Sequence, residues 1–284
     1  MAKIDAYRSK IKDLMDFKAQ GWSDERLAYW LMVSSMKWSF SRVNGWDGCR
    51  ACWYQSYIIG DRGEGNAFAD YGTISHEILE GYLRGELSDL DLSDEFERRF
   101  IEAELDFPPN QYVSLRDSYY KQGMAYFDSV DLLDVYDILD VELPIDVNIL
   151  GYQTTGFIDL VVRHKKSGKL IVLDHKSKAK FKDADEQKHY ARQLYIYSKG
   201  VFDKYGEYPS QLVFNRFRKQ EYTRIPFKQE DYVEACEWFK NTIEDIKMAT
   251  EFPVMKEREP FFTLYLCNHR NKEWHQQGAV IKLE

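Results

Sequence analysis

Gly156-Phe157-Ile158-Asp159-Leu160-Val161-Val162 and, beyond the turn Lys165-Lys166-Ser167-Gly168, Leu170-Ile171-Val172-Leu173-Asp174-His175-Lys176 decide how this chain folds. Both runs are apolar and rich in β-branched residues, and a short basic turn ending in glycine separates them. They read as two strands, over 151–164 and 169–175. An aspartate set among Phe157, Ile158, Leu160 and Val161 needs a reason, because a carboxylate is costly in apolar surroundings. Asp174 and Lys176 are two residues apart, so on an extended chain both project from one face. Two carboxylates converging from neighbouring strands make a hard oxygen site for Mg²⁺ or Mn²⁺. An amine beside them can orient and help deprotonate a water, or balance charge on a phosphate. Taken singly, the same residues also fit a salt bridge at a strand end with Asp159 facing solvent.

Working outward, the alternation of Val141, Leu143, Ile145 and Val147 predicts a strand over 135–149. Downstream, 184–203 reads as a helix, 210–217 and 221–227 as strands, and 229–248 as an amphipathic helix. Upstream, residues 4–36 look helical with a break at Gly21, and Ser23-Asp24-Glu25 opens the second segment as an N-cap with an acidic first turn. Two packed helices and a helix-turn-helix both fit that pattern. Ile74, Ile78, Leu79 and Tyr82 give helical spacing over 72–85, and helices are expected at 93–105 and 114–133. Helices, three strands, a helix, then two strands describe an α/β core with an α-helical N-terminal part.

The bulk properties narrow the function. The 284 residues carry a net charge of −8, which argues against a protein that simply coats nucleic acid. The charge is uneven, however. Residues 86–146 hold 17 acids against 4 bases, whereas 163–192 hold 10 bases against 4 acids, a local surplus of six. A local basic path suffices to guide a phosphate backbone, although a solvated face has the same composition. The apolar runs are too short to span a bilayer, and Met1-Ala2-Lys3-Ile4-Asp5 lacks the apolar run of a secretory signal. A cytoplasmic location, in a bacterial or phage-infected cell, is expected. Four cysteines then read as thiols or metal ligands rather than disulfides.

Several motifs recur together, in order. Ser39-Phe40-Ser41 is followed by Cys49, eight residues before Tyr57. Next come Gly72-Thr73-Ile74-Ser75-His76, Glu142, Gly156 to Asp159, Asp174 to Lys176, and Gln193 with Tyr197. This series resembles the RecB-like branch of the PD-(D/E)xK nuclease superfamily, which includes CRISPR-adaptation and phage-type exonucleases, and the resemblance covers about residues 39–227. It implies a restriction-endonuclease-like core, a mixed central sheet flanked by helices. It implies His76, Asp159, Asp174 and the His175 carbonyl as metal ligands, Lys176 as the catalytic lysine, and Glu142 as an accessory acid. Gln193 and Tyr197 would position DNA or the lysine, and Lys178, Lys180 and Lys182 could track the DNA backbone. The implied domains are a helical extension at 1–38 and a nuclease domain at 39–284, with an acidic helical insertion at about 86–134 that is a candidate protein-docking surface.

The activity expected is metal-dependent hydrolysis of DNA phosphodiesters, by an exonuclease of recombination, repair or phage DNA processing that needs a free end. The alternatives are a structure- or sequence-specific endonuclease on the same fold and a non-catalytic DNA- or partner-binding module. Many relatives of this branch carry a [4Fe–4S] cluster on one cysteine near position 49 and three near the C-terminus. Here only Cys267 falls in that C-terminal region, and Cys236 shares core-facing spacing with Phe239, Ile243 and Ile246. A structural zinc on Cys49, Cys52, Cys267 and His269 is the other option weighed. The reading adopted is neither cluster nor structural metal.

Overall fold

The computed structural model describes residues 2–255 and 261–283, with side chains from residue 8 onward. The chain divides into two compact units, one of Met1–Glu64 with Trp238–Glu284 and one of Gly65–Glu237.

Four helices open the first unit: α1 (Ala2–Ala19), α2 (Asp24–Ser34), α3 (Phe40–Gly48) and α4 (Arg50–Tyr54). Ser23 caps α2 as expected, accepting from Arg26 N–H, and Ser39 caps α3 by accepting from Arg42 N–H. The first serine of Ser-x-Ser is therefore a helix cap here.

The second unit begins with helices α5 (Ala67–Leu83), α6 (Leu92–Glu102), α7 (Leu115–Phe127) and the single turn α8 (Leu132–Val135). Helix α5 starts five residues before the Gly72 expected from spacing, because the Asn66 side chain accepts from both Phe68 and Ala69 N–H. The helix expected at 114–133 is split into α7 and α8. Strands β1 (Tyr136–Ile149), β2 (Tyr152–His164) and β3 (Leu170–His175) follow, then α9 (Ala184–Tyr205), β4 (Gln211–Arg216), β5 (Glu221–Pro226) and α10 (Gln229–Met248). The region beyond 248, for which the sequence prompted no expectation, contains β6 (Glu251–Pro253), α11 (Glu273–Gln276) and β7 (Val280–Lys282), with β6 and β7 paired antiparallel.

The five strands form one mixed sheet in the order β1-β2-β3-β4-β5, as expected for a restriction-endonuclease-like α/β core. Only the β3–β4 pair is parallel, and α9 makes the crossover that a parallel pair requires. Central β3 is buried along its whole length, which is why it reads as an unbroken apolar run rather than an alternation. Leu160, Val162, Ile171, Leu173 and Val213 belong to one core with Tyr71, Ile78 and Leu79 of α5 and Phe96, Phe100 and Phe127 of the next two helices. By alternation along β3, Asp174 points away from that core, and Lys176 just beyond the strand contacts Gln193 of α9. Helix α9 packs closely there: a Cβ at Gly200 would collide with Ile145 of β1, and one at Gly156 of β2 with the Tyr197 ring.

Candidate active site

The end of β3 gathers the residues singled out above. Asp159 and Glu142 stand opposite one another across the β1–β2 ladder, between the pairs Val141–Leu160 and Leu143–Ile158. Glu142 occupies the left-handed backbone region, with φ of 53°. A non-glycine residue held there is strained, and strain of this kind concentrates at functional sites. His76 reaches the same place from α5. One ligand atom from each of His76, Glu142 and Asp159 lies within 4.8 Å of the other two. His76 Nδ1 is 3.6 Å from Asp159 Oδ2, and its Nε2 donates to the His175 carbonyl at 2.8 Å. His175 N–H in turn donates to Asp159 Oδ2 at 2.8 Å, so β2 and the end of β3 are tied through the aspartate.

Asp174 is 3% exposed. Its Oδ2 lies 2.8 Å from Lys176 Nζ, yet is not aligned for a hydrogen bond and has no hydrogen-bonding partner. The ammonium donates instead to Asp174 Oδ1 at 3.1 Å and to Gln193 Oε1 of α9 at 3.4 Å. Gln193 thus contacts the lysine directly. Tyr197, one turn further, packs its ring on Gly156, and this explains why glycine stands three residues before Asp159.

Burial raises the Asp174 carboxyl to about 6, against the pull of Lys176. Glu142 is raised too, first by burial and then by the Asp159 charge. Burial alone would lower Lys176, but Asp174 and Asp159 outweigh it and hold the ammonium above its ordinary value. The His175 ring is kept neutral by burial, down to about 3, and its Nδ1 lies 3.0 Å from Asn215 Nδ2. The His175 ring is thus a core element, and only its backbone faces the acids.

Two carboxylates and an imidazole converge, and the buried Asp174–Lys176 ion pair and the His175 carbonyl lie beside them. Such a donor set fits a hard divalent cation.

The basic segment is only partly open. Lys178 pairs with Glu186 at 2.8 Å and stands 5.4 Å from the Tyr190 ring centre, whereas Lys180 is exposed. Cys49, Cys52, Cys267 and His269 come together in the first unit, joined by His275, which the sequence reading did not single out. A second histidine near Cys267 was the available signal.

A family profile described as the PD-(D/E)XK nuclease superfamily matches residues 37–270. The chain belongs to that superfamily. Its place among these nucleases agrees with the mixed five-stranded sheet, and members of the superfamily generally use divalent metal ions. The chain is also similar to the crystal structure of a "Putative exonuclease" from Eubacterium rectale, at 14% identity and a TM-score of 0.47, over 74% of this chain and 81% of that one. No curated protein matches it. Among the described residues, no helix of this nuclease is long and apolar enough to cross a membrane.

Proposed function

We propose that this nuclease is a Mg²⁺- or Mn²⁺-dependent deoxyribonuclease of the RecB-like branch that degrades DNA from a free end, in recombination, repair or phage DNA processing. The observation that carries the reading is the convergence of His76, Glu142 and Asp159 within 4.8 Å, with the Asp174–Lys176 pair beside them. His76, Asp159, Asp174 and the His175 carbonyl would hold the metal, with Glu142 as a further acid. Bound there, a divalent ion supplies a Lewis acid and a water of lowered pKa.

The chain's own residues do the rest. Lys176, charged and anchored by Asp174 and Gln193, is aimed so that its ammonium can meet the phosphate or hold the attacking water. The Asp159 bond to His175 N–H keeps β2 and β3 in register, so the acids stay in place when the phosphate arrives. Lys180, exposed past the end of β3, extends a positive path for the strand.

The test is a time course on end-labelled linear DNA and closed circular DNA, with Mg²⁺, with Mn²⁺ and with chelator. The expected outcome is progressive release of short products from linear DNA only, with metal only. Cutting of closed circles would replace the free-end reading by an endonuclease, and no cutting of either substrate would remove catalysis from the proposal.

A further inference from the structure

The first unit contains a second cluster of metal-ligand side chains with a different chemistry. Cys49, Cys52 and His275 each place a ligand atom within 4.8 Å of the other two, and so do Cys52, Cys267 and His269. The two sets share Cys52 and are bridged again by Cys267, whose Sγ lies 3.6 Å from Cys52 Sγ and 3.3 Å from His275 Nε2. Cys49 and Cys267 are buried, as are both imidazoles. Three thiols and two imidazoles thus gather in two overlapping triples around Cys52 and Cys267, and no carboxylate belongs to either set.

The surroundings hold these donors in place. Cys49 sits at the junction between α3 and α4 with φ of −164°, and Cys52 follows inside α4. On the C-terminal side, Glu64 N–H donates to the Asn268 carbonyl at 2.7 Å, and Lys272 pairs with Asp61 at 2.9 Å. His269 Nε2 donates to the Asp61 carbonyl at 3.0 Å, which turns Nδ1 into the ring's free lone pair. Histidines that bind metals are commonly fixed by such a bond from the other ring nitrogen to a backbone carbonyl. Gly63 is required for this seam: it has φ of +67°, and a Cβ there would strike the Asn268 backbone. Cys49, Cys52, Cys267 and His269 line a cleft of about 280 Å³ that also touches Trp53 and Tyr57 and gives an ion a route of access.

The geometry points to a single zinc ion held by the thiolates of Cys49, Cys52 and Cys267, with one imidazole of the His269–His275 pair as fourth ligand. Around tetrahedral zinc, neighbouring sulfurs lie about 3.8 Å apart and sulfur–nitrogen pairs about 3.6 Å apart. The 3.6 Å and 3.3 Å separations are of that size. A four-iron cluster does not fit, because each of its ligands binds a different iron and the sulfurs are spread around a cube. Among the described residues, three thiols gather here, not four. The sequence favoured neither metal here, and the proposal departs from that expectation. Sulfur and imidazole donors suit zinc, whereas the oxygen-rich set near β3 suits Mg²⁺ or Mn²⁺, so the two sites select different ions. A zinc ion here would join segments 215 residues apart in sequence and stabilise the unit by closing that loop.

The test uses the full chain, purified without a histidine tag. Elemental analysis should find one zinc per chain, retained through dialysis that removes Mg²⁺. Stripping it with a strong thiophilic chelator should lower the melting temperature by several degrees, and zinc should restore it. Co²⁺ replacing zinc should give the absorption of a tetrahedral ion with sulfur-to-cobalt charge transfer. Cys52→Ser and the double variant His269→Ala with His275→Ala should each lose the zinc, whereas Cys236→Ser should keep it. Iron with labile sulfide, or a metal-free chain with a Cys52–Cys267 disulfide, would overturn the proposal. An octahedral cobalt spectrum from the unmutated chain would do the same, whatever the variants' folding. None of these readouts depends on nuclease activity.

Discussion

The two donor clusters are built in opposite ways. The donors near β3 are carried by paired strands and, for His76, by α5, so ladder hydrogen bonds fix the spacing of the acids, and Glu142, held at positive φ, lies within the ladder. The thiols and imidazoles come from a helix junction and a short C-terminal segment, tied together by a seam of hydrogen bonds and the Lys272–Asp61 ion pair. A catalytic site must keep its geometry while ligands exchange, so a rigid sheet suits it. A structural ion can itself organise weakly ordered segments, because its binding energy is also folding energy.

The largest effect should come from the sheet-built site. Lys176→Ala and Asp174→Asn are each expected to lower cleavage about 10³-fold or more, with far-ultraviolet circular dichroism unchanged. Activity within tenfold of the parent would break the contrast, since the strands would then hold nothing catalytic. A chelator that takes Mg²⁺ but not zinc should abolish cleavage and barely move the melting temperature, whereas loss of zinc should do the reverse. Equal responses to both treatments would merge the two sites into one.

Packing of the sheet unit is the next lever. Gly200→Ala drives a methyl group into Ile145 and should cost about 1–3 kcal/mol, read as a lower urea midpoint. An unchanged midpoint would mean that α9 is free to shift away from β1. Gln193→Ala removes a contact to Lys176 rather than a ligand, and should lower kcat about tenfold with little change in KM.

The smallest expected effect is a pH dependence of the metal-free chain. Burial depresses His175 from 6.5 to about 3, so below pH 6.5 the unfolded chain binds the extra proton, and stability is lost as pH falls from about 6.5 toward 3. Asp174, raised from 3.8 to about 6, acts oppositely: its contribution is present at low pH and is lost as pH rises through about 6. The net loss on acidification should therefore be shallow, and His175→Gln should flatten or invert it in thermal melts between pH 7 and 4. An unchanged profile in that variant would place the titration elsewhere.

Much of this was legible because strands and helices write their periods locally. The strand ends at 149, 164 and 175 were read to within a residue, and Ser23 announced its cap. Gly156 and Tyr197 were visible as a motif, but their shared meaning was not: the glycine clears space for a ring 41 residues away. The same holds for Glu142, since no local pattern foretells a positive φ inside a strand. His275 was missed because its partner cysteines lie in the same turn and some 220 residues earlier.

By itself the sequence determined the order and type of the core elements, the face shared by Asp174 and Lys176, and the motif series of a nuclease, because all of these follow from spacing along one strand or helix. Only the tertiary structure decided which donors meet. Convergence depends on strand pairing, on how closely α9 approaches the sheet, and on a turn near the C-terminus folding back on residues 61–64. Those are distances through space, set by packing and hydrogen bonds between segments whose separation in the chain carries no record of them.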